Sequence, residues 1–169
     1  VARFSLERIG ASPATFDYQK LDWLNGAYLR NLEPDEYAHN LCRWLDEQGN
    51  DWPRDVVHAT VPLVQEKIEK FTQYPGFVGF LFGPVTPDGA DPAICGAARG
   101  RLEAVEPWEA GGIEEALRSL ADELGRKPRE AFQPIRLAVT GSKVSPGLFE
   151  SLELLGRDES LARLATAAA

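Results

Sequence analysis

Apolar positions recur at helical spacing along most of this chain, and no useful stretch alternates apolar and polar residues as a half-buried strand would. From Asp17, a predicted N-cap, Leu21, Leu24 and Tyr28 fall on one helical face with Trp23 beside them. Pro34 opens a second predicted helix, whose stripe of Tyr37, Leu41, Trp44 and Leu45 ends near Gly49. Trp44 is assigned to the core. A third region begins at Pro53 and places Val57, Val61, Val64, Ile68 and Phe71 on one face. Pro62 cannot donate a hydrogen bond and collides with the carbonyl of His58, so a kink or break is expected near Thr60. The mixed charges of Glu66, Lys67, Glu69 and Lys70 read as a solvated outer face.

Tyr74-Pro75-Gly76 is the best internal boundary, and the apolar residues 76–82 after it fit a buried helix or a buried strand. Helix is chosen because the neighbours are helical. Residues 83–92 are rich in turn formers, and 93–105 read as a helix weakened by Gly96 and Gly100. Gly111-Gly112 separates that helix from the stripe Ile113, Leu117, Leu120 and Leu124, which Gly125 ends, and a terminal helix carries Leu161 and Leu164. The expected fold class is all-α, two small helical bundles side by side. The expected organisation is a lead-in segment over residues 1–16, around Ser12-Pro13, then a first helical subdomain over 17–75 and a second over 76–169.

The stretch from Pro134 to Gly156 holds the least ordinary chemistry. Ile135, Leu137, Ala138 and Val139 close one helix, and Gly141 stands where a left-handed residue returns the last carbonyls to partners. Ser145-Pro146 is predicted to open the next helix, with Leu148, Leu152 and Leu155 at helical spacing. The loop between them gathers Arg136, Lys143 and the hydroxyls of Thr140, Ser142 and Ser145, with Phe149 as an aromatic edge. Such donors beside apolar surface suit an unstacked nucleotide loop. They also suit a capped, solvated turn, and the residues alone leave both readings open.

Composition narrows the picture. At 169 residues, 44% hydrophobic and 26% charged, the chain has the makeup of a folded globular protein. Its longest apolar run is too short to cross a bilayer and no leader pattern is present, which predicts a cytoplasmic protein without a membrane partner. The chain starts at Val1 and contains no methionine, so it is expected to be a piece of something longer. Cys42 and Cys95 stand far apart with no ligand-spaced neighbours and are expected to be reduced thiols, not a zinc site. His39 and His58 are equally isolated and are expected to pack or cap.

A net charge of −8 opposes non-specific nucleic-acid binding, and no DNA partner is expected. The charge is uneven, however: residues 126–169 carry seven Lys or Arg against five Asp or Glu, and residues 1–125 eleven against twenty-one. That balance suits a module reading a few bases while a larger partner domain holds the backbone. No glycine-rich phosphate loop, HExxH pattern or nucleophile with a credible base is present, so no catalytic residue is assigned.

The segment KPREAFQPIRLAVTGSKVSPGLFESLELLGRDESLARL, preceded in order by FDYQKLDWLNGAYLR at Phe16 to Arg30 and VPLVQEKIEKF at Val61 to Phe71, resembles the C-terminal anticodon-binding region of bacterial glutamyl-tRNA synthetases. Only Pro84 to Gly112 lacks a matching block. The resemblance implies the anticodon-binding domain of a class I aminoacyl-tRNA synthetase, contributing tRNA specificity to a full-length enzyme that uses ATP with Mg. The HIGH-like and KMSKS-like motifs of that chemistry are missing here, so the isolated chain is expected to be catalytically inactive, with no cofactor or metal of its own. The implied partner is tRNA(Glu), bound by a monomer.

Residue by residue, the resemblance places Arg136 on the first anticodon base and Ser145 and Pro146 on the middle one, with Gly147, Leu148 and Phe149 packed against the same loop. The third base is read from the LVQER-like segment, usually by arginine, and this chain has Lys67 there. Lysine lacks the planar fork, which brings tRNA(Gln) in as a second partner if discrimination is lost. Lys143 is a candidate phosphate contact. Asn25 and Arg30 read equally as RNA-stem contacts or as packing and surface residues. A competing reading, favoured by the acidic charge, is a helical protein-interaction domain derived from such a synthetase that no longer binds tRNA.

Overall fold

The computed structural model describes residues 17–169; the lead-in segment 1–16, with Ser12-Pro13, lies outside the described residues. Among the described residues the regular structure is entirely helical: α1 Tyr18–Arg30, α2 Pro34–Glu47, α3 Arg54–Val64, α4 Tyr74–Val78, α5 Pro92–Leu102, α6 Ala110–Glu123, α7 Pro128–Thr140, α8 Leu148–Leu155 and α9 Arg157–Ala168, with single 3₁₀ turns on either side of α4. No helix among them is long and apolar enough to cross a membrane.

Two apolar clusters organise these helices. The first joins α2 and α3 through Tyr37, Leu41, Leu45, Val57, Val61 and Val64, and extends through Ile68, Tyr74 and Val78 to Phe82. Tyr74-Pro75-Gly76, read as an internal boundary, forms the first turn of α4 with its proline near the helix start, and Tyr74 is fully buried. Its hydroxyl lies 2.7 Å from Thr60 Oγ1, which donates to the Val57 carbonyl at 2.7 Å. Trp44 is half-buried against this core, as assigned, beside Phe71.

The second cluster joins α5, α6, α7, α8 and α9 around Leu102, Ile113, Leu117, Ile135, Leu152 and Leu164. Gly96 lies where α5 meets α9, and a Cβ there would make an ordinary contact with that of Ala168 at 3.7 Å. Gly111 and Gly112 lie inside the first turn of α6, not ahead of it. Cys42 and Cys95 are free and buried, and burial pushes the Cys95 thiol up to about 11, which keeps that thiol protonated.

Several local expectations change. The helix holding Pro62 runs on to Val64 without a break at Thr60, because Val61 and Val64 on either side of the proline are locked in the core. The chain turns after Val64, where the Gln65 side chain leaves to donate to Leu29 O at 3.1 Å and Leu32 O at 2.8 Å. Asp17 caps α1 as expected, accepting from Lys20 N–H at 3.0 Å. Among the described residues the apolar stripe of α1 stays largely uncovered, however: Leu21, Trp23, Leu24 and Tyr28 are exposed, while Gly26 and Leu29 are buried. The docked face is the polar one, where Asn25 Nδ2 donates to Glu69 O, Lys70 pairs with Asp22 at 2.7 Å, and Gly26 admits the Glu69 side chain. Two of the charges read as a solvated face therefore tie the third helical region to the first. His39 and His58 are exposed and do not pack.

The two clusters are fastened where residues 83–87 cross the C-terminal end of α7. Arg163 on α9, only 10% exposed, donates from Nη1 to Val139 O at 2.7 Å and from Nη2 to Gly83 O at 3.2 Å, while Nε meets Glu159 at 2.6 Å. One planar fork thus satisfies an end carbonyl of α7 and a carbonyl of the connecting segment. Arg163→Ala is expected to lower unfolding stability by about 1–3 kcal/mol, because both carbonyls lose a charged donor. Urea unfolding measures it, and Arg163→Lys should recover only part of the loss.

Candidate RNA-binding site

The end of α7 shows why the loop after it has its shape. Gly141 adopts φ 66°, ψ 8°, and its N–H returns to Leu137 O at 2.9 Å. A Cβ on Gly141 would stand 3.2 Å from Val85 Cβ and 3.4 Å from Thr86 O, so the position needs both the left-handed backbone and the missing side chain. The Thr140 hydroxyl lies 2.8 Å from Arg136 O and 3.0 Å from Ser142 O, and accepts from Ser142 N–H at 3.2 Å. Ser142 Oγ donates to Val144 O at 2.9 Å and accepts its N–H at 3.1 Å. The loop hydroxyls are therefore spent on the loop itself, as in an Asx-like or ST turn.

Ser145 and Pro146 do not open α8. That helix begins at Leu148 with Gly147 before it and no side-chain cap. The Ser145 oxygen is unavailable for capping because Arg136 Nη1 donates to it, and the same nitrogen reaches Pro146 O at 2.6 Å and Ser145 O at 3.5 Å. Arg136 is half-buried; burial holds its guanidinium below the usual value, opposed by the nearby Glu150 carboxylate. An arginine does not lose its proton under these conditions, so the site keeps a permanent cation pre-aimed by its own loop.

The fold brings together residues that the chain separates. Lys67, Arg136, Lys143, Ser145, Pro146 and Gly147 line one open cleft of about 600 Å³, to which Pro62, Leu63, Val144 and Glu150 also contribute. Pro62 and Leu63 come from α3 and Lys67 from the turn after it, while Arg136 stands on α7, Glu150 on α8 and the rest on the connection between them, so the cleft straddles the two clusters. Neither ammonium has an ion-pair partner among the described residues, and both side chains are exposed. Three cations face one carboxylate on a chain whose net charge is −8. The cleft is thus a locally basic patch on an acidic body.

Leu148 and Phe149 lie elsewhere. Leu148 is 3% exposed in the second core and Phe149 meets Phe132 edge-on at 5.5 Å, so they brace the loop from beneath and do not line the cleft. Val144, Pro62, Leu63 and Glu150 escaped sequence reasoning. Only Val144, an apolar residue in a polar turn that proves 69% exposed, carried a signal in the sequence. Asn25 is engaged with Glu69 O on the docked face of α1. No group of three or more His, Cys, Asp or Glu that could hold a metal ion exists among the described residues.

Comparison with known proteins bears on this cleft. The family model described as anticodon binding domain matches residues 36–168. The chain is 44% identical to a glutamate–tRNA ligase of Acidothermus cellulolyticus, covering 100% of this chain and 37% of that protein. It is 42% identical to one of Rhodococcus jostii, covering 100% and 38%. The chain thus spans a little over a third of the length of the curated relatives it matches. Among solved structures, a glutamate tRNA ligase from Elizabethkingia meningosepticum superposes with a TM-score of 0.77 over 98% of this chain and 35% of that one, at 18% identity, which shows a shared fold.

Gly141→Ala is expected to destabilise the protein by about 1–2 kcal/mol through the left-handed backbone alone, with Val85 displaced as well. Gly141→Asn should recover the backbone part of that loss, since asparagine tolerates the left-handed conformation, and keep the part due to crowding of Val85 and Thr86; thermal melts of both variants provide the comparison.

Proposed function

The chain belongs to the anticodon-binding domains of the glutamate–tRNA ligase family, and on that premise we propose that the cleft between Lys67 and Arg136 receives the unstacked anticodon bases of tRNA(Glu). The observation that carries this reading is the convergence of three cations from two distant segments on a single open cleft of an otherwise acidic chain. Phosphate neutralisation by the whole surface cannot supply affinity at a net charge of −8, so binding would rest on directed contacts at a few bases.

Arg136 offers the first base a fork already held by one nitrogen on Ser145 and Pro146, leaving Nε and Nη2 for the base edge. Gly147 presents backbone to the middle base beside Ser145 and Pro146, whose oxygens Arg136 holds, and the buried Leu148 and the braced Phe149 keep that backbone in place. Lys67 faces the third base from the opposite wall. Lys143, at the exposed rim, meets phosphate as a point charge. In the full-length enzyme this module would select the tRNA, while the glutamate activation with ATP and Mg would belong to the part of the protein that this chain does not span. Such an enzyme works in the cytoplasm, and tRNA(Gln) joins its substrates if Lys67 fails to discriminate.

Titration of the chain with an anticodon stem-loop of tRNA(Glu), at low and moderate salt, tests the proposal. Arg136→Ala is expected to weaken binding by about 1–3 kcal/mol, the worth of one directed base contact. Lys143→Ala should leave base preference intact and lower the salt slope by about one unit. Absence of binding even at low salt would overturn the reading and favour the protein-interaction alternative.

A further inference from the structure

Beside the anticodon cleft lies a second one of about 410 Å³ that shares Lys67 and Val144 with it and is completed by Ile68, Gln73, Phe77 and Ser142. Val144, 69% exposed, forms the ridge between them. Phe77 is half-buried in the first core and turns part of its ring to this cleft, so the ridge and the ring give two apolar walls. Walls of that kind suit the faces of an unstacked base.

The polar equipment is one-sided. Gln73 Oε1 accepts two backbone N–H groups, from Glu69 at 2.7 Å and Lys70 at 3.2 Å. That pairing settles which end of the amide is which, because only the oxygen can accept. The Nε2 group is left with no partner among the described residues, at the edge of the cleft. Gln73 is also held by its own backbone, with N–H to Lys70 O at 3.0 Å, and is followed by the fully buried Tyr74. Ser142 adds little, since its hydroxyl both donates to and accepts from Val144. Among the residues lining the cleft, the polar groups left without a partner among the described residues are therefore donors: the Lys67 ammonium and the Gln73 amide nitrogen.

We propose that Gln73 is a specificity-determining residue of the anticodon reader, acting with Lys67 as a split donor pair for a base edge with adjacent acceptors. This rests on the anticodon reading above. Lysine at position 67 has one charge and no fork, and the fixed amide of Gln73 supplies the second directed donor that a fork would have contained. Cytosine presents N3 and O2 side by side as acceptors. Guanine presents N1–H and N2–H₂ on the corresponding edge, which would face donors with donors. Glutamate codons begin with G and glutamine codons with C, so the third anticodon base is C in the one tRNA and G in the other. The pair of donors thus selects the glutamate anticodon by leaving guanine's protons unpaired, a cost that builds specificity from mismatch.

The decisive measurement is the binding of two anticodon hairpins, identical except for C or G at the third position, to the 169-residue chain and its variants. Gln73→Glu keeps an oxygen for the Glu69 and Lys70 N–H groups and replaces the donor by an acceptor, so its thermal midpoint should stay near that of the unaltered chain. Its C-over-G preference is expected to fall by about tenfold or more, towards guanine. Gln73→Ala should also reduce the preference without reversing it. An unchanged C-over-G ratio in both variants, with Arg136→Ala still weakening both hairpins, overturns the role of Gln73 and leaves the anticodon reading standing. No preference in the unaltered chain and no effect of Arg136→Ala overturns both.

Discussion

Everything about the cleft depends on how the segment after Phe82 crosses the end of α7. Val85 and Thr86 lie against Gly141, and the Arg163 guanidinium holds Gly83 and Val139 by their carbonyls. A buried fork bonded to two backbone oxygens and one carboxylate is costly to leave half made, so it pins both segments to α9 at once. Through it, the first core, which carries Lys67, is held at a set distance from the second, which carries Arg136. Without that crossing the two walls of the cleft would belong to separate bodies.

The cleft then resolves the apparent conflict between an acidic chain and the RNA partner proposed for it. Lys70 is neutralised by Asp22, Arg54 by Asp46 and Arg118 by Glu114, all away from the cleft, whereas Lys67 and Lys143 keep their charge unpaired beside Arg136. Screening in water limits the reach of the distant acidic surface to about a Debye length, roughly 8–10 Å at ordinary salt. Local cations and directed donors therefore dominate the potential that a base loop would meet. An acidic body in turn discourages binding to nucleic acid at any other face.

Much of the fold was legible in the chain because amphipathic spacing reports burial directly. The α2 stripe of Tyr37, Leu41 and Leu45, the α6 stripe of Ile113, Leu117 and Leu120, and the left-handed Gly141 all stand where pattern and backbone sterics put them. The α1 stripe misled for the same reason, since spacing marks an apolar face but not whether anything covers it. There a glycine and a few polar side chains make the contact, and the aromatics are left exposed. Ser145 was misread because an N-cap signal is local, while the arginine that takes the serine oxygen stands nine residues earlier.

What the sequence by itself determined is the helical class, the cap of α1, the left-handed end of α7 and the family. These follow from side-chain chemistry and spacing within single segments. Only the tertiary structure decided that Lys67 and Arg136 line one cleft, that Leu148 and Phe149 brace from beneath, and that the backbone takes the Gln73 oxygen and not its nitrogen. Each of those depends on which distant group claims a hydrogen bond or a packing site first, and such competition is settled in space, where sequence separation carries no information.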